Sequence, residues 1–128
     1  MLTSSYTLRI MFVHFCMQLF LLSAAFADGV DELKSMEKLE KEYKESPYRH
    51  EINYEYCGKL IGFKKYTKAI EVCSIAIDSG TDNTLSWSYL NRGIAYRELG
   101  SIDKSKEDRE QSKKHGMPIW LLDSYLKL

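Results

Sequence analysis

The sequence predicts an all-α fold of tandem antiparallel helical hairpins, and three observations predict it. Two prolines and seven glycines in 128 residues leave few breaks. Apolar residues recur at steps of three and four, the period of a helix with one buried face. The stretch from Tyr66 is echoed by the stretch from Ile102, thirty-six positions on.

Length and charge set the outer limits. A chain of 128 residues holds one small domain. Its 18 basic and 18 acidic side chains cancel. Binding to nucleic acid or to an acidic membrane surface needs an excess of cations, so neither is expected. Five Phe, two Trp and nine Tyr are too many aromatics for a disordered chain.

Residues 1–27 read as a secretory signal peptide. Arg9 is the only cation before an almost continuous apolar run, IMFVHFCMQLFLL, over residues 10–22. Ala25-Phe26-Ala27 is then a small-residue cleavage pattern before Asp28. The alternative is an uncleaved anchor, since residues 10–27 are 18 in number and just long enough to span. His14 and Gln18 interrupt that run, and small residues close it. Cleavage would leave 101 residues with 17 cations against 18 acids, no long apolar run and no membrane contact. The expected location is periplasmic or secreted.

The leading amphipathic helix occupies residues 28–47. Val30, Leu33, Met36, Leu39 and Tyr43 form its stripe, and Glu37/Lys41 and Glu40/Lys44 pair one turn apart. Ser46-Pro47 ends it, because the residue before a proline avoids helical geometry. A second helix runs over residues 48–63, with Gly58 and Gly62 on one face. Each glycine costs a helix roughly 1 kcal/mol, so a close approach is expected there. Glu51, Glu55 and Lys59 on the same helix exclude a membrane dimer motif. Lys64-Lys65 turns the chain into a helix over 66–78, with Ala69, Ile70, Cys73, Ala76 and Ile77 on one side.

Residues 79–83 form a loop, with Asp82 or Asn83 as the N-cap of the next helix, 85–99. Gly100-Ser101 breaks the chain, and Ser101 can cap a polar helix over 102–115. Ser105 and Ser112 share one of its faces, while Asp103, Glu107, Asp108 and Glu110 among Lys104, Lys106 and Arg109 read as a solvated face. Gly116 ends this helix, and Pro118 opens a last one to residue 128, rich in Trp120, Leu121, Leu122, Tyr125 and Leu126.

Cys16 would leave with the signal. Cys57 and Cys73 remain, either as a disulfide suited to an oxidising compartment or as two buried thiols. A bridge would close a loop of sixteen positions, worth about 3 kcal/mol of loop-closure entropy. Zinc needs four ligands, and only His50 and His115 could join the cysteines, neither of them near in sequence. No metal and no cofactor is expected.

The echo at thirty-six positions places Ala69 on Ser105, Cys73 on Arg109 and Ala76 on Ser112. Residues 89–100, YLNRGIAYRELG, resemble the first helix and turn of a tetratricopeptide repeat, with aromatics at Tyr89 and Tyr96, a small residue at Gly93 and a turn glycine at Gly100. Tyr66, Ala69, Ile70, Ala76 and Ile77 are similar to the second helix of that repeat. The resemblance covers residues 50–117 and implies a short α-solenoid of about two repeats, the hairpins filling 48–117 and residues 118–128 forming a capping helix. Arg109 stands where the family is apolar or aromatic, the terminal proline is absent with Pro118 one place late, and the spacing exceeds the usual ~34. The alignment sets Cys57 and Cys73 on facing sides of one hairpin, which favours the disulfide; a one-residue slip would make Gly58 the small contact and turn Cys57 partly away.

No G-x-S-x-G, H-E-x-x-H or glycine-rich phosphate loop occurs, so no enzyme is expected. The family holds peptides or protein segments on the inner face of each first helix. That face would carry Glu51, Tyr54, Gly58 and Ile61, then Trp87, Leu90, Ile94 and Arg97. Trp, Tyr and Arg dominate binding energies, and Trp87, Leu90, Ile94 and Tyr54 suit an apolar or helical segment. Alternatively the protein's own leading or C-terminal helix fills that groove. The resemblance thus implies a non-catalytic adaptor with a protein or peptide partner. A stand-alone inhibitor of the immunity type, neutralising an envelope enzyme, is the alternative, and the apolar tail could also mediate self-association.

Overall fold

The computed structural model describes residues 3–126, with side chains for 10–49, 51–81 and 84–126. Among the described residues there is no strand. The helices are α1 (Thr3–Glu45), α2 (His50–Gly62), α3 (Tyr66–Ser79), α4 (Asp82–Glu98), α5 (Ile102–Lys114) and α6 (Ile119–Tyr125). Two compact units separate within α1, one up to Glu37 and one from Lys38 onward.

In the first unit α1 runs unbroken through Ala27 and Asp28, where no proline interrupts it. The side chains of residues 10–29 are all exposed. Ile10–Glu45 is, among the described residues, the one helical stretch long and apolar enough to cross a membrane, as a signal sequence also is. Of the predicted stripe, Leu33 is exposed and Met36 is buried.

In the second unit the last turns of α1 bury Leu39 and Tyr43. The Tyr43 ring lies 5.3 Å from that of Tyr56 on α2, and its hydroxyl donates to Glu71 Oε1 on α3 at 3.1 Å. Lys68 sits 5.1 Å over the Tyr43 ring and donates to the same Glu71 oxygen at 2.7 Å. That hydrogen bond holds the Glu71 carboxyl below its ordinary range and raises the Lys68 ammonium. Burial pushes the Tyr56 phenol up to about 12. A phenol that stays protonated in the fold stabilises it fully below pH ~10, and that contribution is lost as pH rises toward 12. Tyr56→Phe should therefore flatten the fall in stability between those limits by roughly 2 kcal/mol, read as the difference between urea unfolding at pH 9 and at pH 11.5. An unchanged slope would show that Tyr56 is solvated.

Ser46-Pro47 does end α1, and the turn that follows is tied down by Asn53, whose Nδ2 donates to the Pro47 carbonyl at 2.7 Å. Helices α2 and α3 form the first hairpin. Lys64, at φ +56°, closes its turn while the Lys65 N–H returns to the Leu60 carbonyl at 2.9 Å. Cys57 and Cys73 are joined in a disulfide, fully buried, with Cα atoms 5.1 Å apart. The small contact of this hairpin is thus Cys57, with Ala69 and Ala76 buried beside it on α3. Gly58 turns instead toward α4, where a Cβ would meet Asn91 Nδ2 at an ordinary 3.5 Å; at Gly62 a Cβ would meet nothing. The close approach expected at these two glycines is therefore absent.

Helix α4 starts earlier than predicted. Its N-cap is Thr81, not Asp82 or Asn83, and the Thr81 N–H donates to Thr84 Oγ1 at 3.1 Å. Gly100, at φ +78°, turns α4 into α5. A helix as polar as α5 needs some means of docking other than apolar burial. Its buried residues are Ser105, Asp108 and Ser112. Ser105 donates to the Gly93 carbonyl at 2.8 Å and Ser112 to the Ser86 carbonyl at 2.6 Å. At Gly93 an added Cβ would stand 3.3 Å from both Asp108 Cβ and Leu126 Cδ1, so glycine is what lets these elements close. Reading Asp108 as part of a solvated face is corrected here: it is 3% exposed.

Candidate interaction surface

The inner positions of the first hairpin lie on α2. Glu51 is exposed, and Tyr54 and Gly58 are half-buried. Those of the second hairpin lie on α4, and the two helices meet at Gly58 and Asn91. Trp87 keeps 37% of its surface exposed. One turn further along α4 the situation reverses. Leu90 and Ile94 are buried in one cluster with Met117, Leu122 and Leu126, against which Ile61 and Leu121 pack. The C-terminal segment therefore covers the second half of the predicted groove. Leu90 and Ile94 are buried in this structure, and Ile61 is half-buried against them.

Arg97 is likewise engaged. Its Nη1 donates to the Tyr125 carbonyl near the end of α6, and its Nε and Nη2 hold the Glu98 carboxylate at 3.1 and 2.7 Å. Arg109, which departs from the repeat pattern, explains itself at the same place: its Nη2 donates to Asp123 of α6. Of the predicted positions, Glu51 and Trp87 are exposed, Tyr54 and Gly58 half-buried, and Leu90 and Ile94 covered by the C-terminal segment.

Compared with known proteins, the sequence matches no protein-family model and no curated protein.

Sequence reasoning missed the strongest electrostatic feature behind this surface. Arg92 Nε and Nη2 grip both carboxylate oxygens of Asp108 at 2.9 and 2.8 Å, and Nη1 reaches Ser74 Oγ on α3 at 3.0 Å. The Asp108 carboxylate raises the already high pKa of the guanidinium. Tyr89 and Tyr96 flank it with ring centroids 5.5 and 5.8 Å away, and Tyr89 stacks on His115 at 5.6 Å. One side chain thereby ties α3, α4 and α5 together. Gly93 lies against both Ser105 and Asp108 across the Gly100 turn, which brings the neighbouring Arg92 within reach of the Asp108 carboxylate.

Proposed function

We propose that the protein is a non-catalytic adaptor that holds a protein or peptide segment on the inner face of two tetratricopeptide-like hairpins. One observation carries the reading. Cys57 and Gly93, thirty-six positions apart, are the small contacts of α2 with α3 and of α4 with α5, so the two hairpins share one register. Trp87 supports it, as a large aromatic left partly open on that face. Export supplies the setting: the apolar start of α1 acts as a signal removed after Ala27, and a buried disulfide belongs to an oxidising compartment outside the cytosol.

A photo-crosslinking residue placed at Trp87 in the full chain, expressed in its own cells, tests this. Capture should give one dominant partner, and mass spectrometry should find Asp28 as the first residue of the captured chain. Trp87→Glu should weaken that partner at least about 30-fold, the roughly 2 kcal/mol of a hot spot, at unchanged melting temperature. Binding unaffected by Trp87→Glu would reject the inner face as the site.

A further inference from the structure

We propose that α6 is a built-in occupant of the inner face, and that the partner is a short amphipathic helix patterned like α6 which displaces it. The inference rests on the adaptor reading and names the chemistry of its ligand. The seat has three parts. Leu90, Ile94 and Ile61 receive Leu122 of α6 and Leu126, the residue just past its end. Arg109 receives the carboxylate of Asp123, between those two leucines. Arg97 donates to the Tyr125 carbonyl, where the negative end of a helix dipole lies. Such a seat selects a helix with paired apolar residues, an acid between them and a C-terminus reaching Arg97.

Helix α6 is suited to leave. At seven residues it is too short to hold its own helix in water, so it is helical because it is docked. Exposed Gly116, at φ +95°, and exposed Pro118 precede it on either side of Met117, which is buried in the same seat and would leave with it. Its Ile119 and Trp120 remain 53% and 71% exposed. Tethering gives it a high effective concentration, so a partner must fit better than α6 does. α6 thereby sets a threshold of affinity that excludes weak apolar segments.

The test uses a fluorescent synthetic peptide of residues 117–126 and the full chain with the change confined to α6. Leu122→Ala should bind the peptide at least tenfold more tightly than the unaltered chain, and the milder Asp123→Ala severalfold more tightly. Hydrogen exchange of the unaltered chain should show α6 amides exchanging at least tenfold faster than those of α4. Equal or undetectable binding by the folded variants would overturn the proposal, as would α6 amides as protected as those of α4. Concentration-dependent dimers in place of peptide binding would assign the seat to a second copy and overturn it too. None of these readouts involves Trp87, so failure here leaves the adaptor reading standing, and loss of that reading leaves these results interpretable.

Discussion

Replacing Cys57 and Cys73 together by alanine is expected to lower the unfolding free energy by about 3 kcal/mol, with a fall in melting temperature of roughly 15 °C. The bridge closes a loop of sixteen positions and so removes freedom from the unfolded chain. Alanine is the right substitute, because serine would bury two hydroxyls where the sulfurs are fully enclosed. A domain of about 100 residues has little stability in reserve, so the loss is a large fraction of the total. Urea unfolding of the variant beside the oxidised protein measures it. A loss under 1 kcal/mol would mean that Leu60, Val72, Ala69 and Ala76 hold the first hairpin without help.

The second large effect is expected at Asp108. Asp108→Ala strips two of the three hydrogen bonds, leaving only that to Ser74, from a guanidinium whose side chain is only 20% exposed. The stranded charge should cost about 2–4 kcal/mol, toward the lower end because Arg92 retains some solvent. Arg92→Met with Asp108→Leu should recover to within about 1 kcal/mol of the unaltered protein, since neither charge is then left alone. Equilibrium unfolding of the two single variants and the double variant measures the coupling directly. A single-variant loss below 0.5 kcal/mol would show a solvated pair that contributes nothing.

Local chemistry made much of the helical layout legible. Ser46-Pro47, Lys64-Lys65 and Gly100-Ser101 sit between helices as read, and apolar spacing identified the buried side of the end of α1 and, on α3, Ala69, Cys73 and Ala76, while Ile70 and Ile77 are half-buried and the buried Val72 was missed. The disulfide was one of two readings of Cys57 and Cys73, favoured by the repeat alignment, and it is the one the structure shows. Three things were not legible, for physical reasons. The start of α4 was set by Thr81 pairing with Thr84, a choice that competed with two equally good cap residues beside it. The burial of Asp108 depends on a partner across a turn, so its own neighbours, all charged, pointed the other way. The burial of Leu90 and Ile94 was not legible either, because they look the same in sequence whether they meet a partner or the chain's own Leu122 and Leu126.

The two flanks of α4 are seated by different forces, and temperature separates them. Toward α6 the contact is mostly hydrocarbon, from Leu90, Ile94, Leu122 and Leu126 beside the Arg97 bond to the Tyr125 carbonyl, and hydrocarbon burial weakens on cooling because its heat-capacity change is large. Toward α5 the buried residues of that helix are polar, and the contact rests on hydroxyls bonded to carbonyls and a guanidinium bonded to a carboxylate. Chilling should therefore loosen one flank while sparing the other. Hydrogen exchange at about 0 °C should show the amides of α6 losing protection before those of α5, relative to about 25 °C.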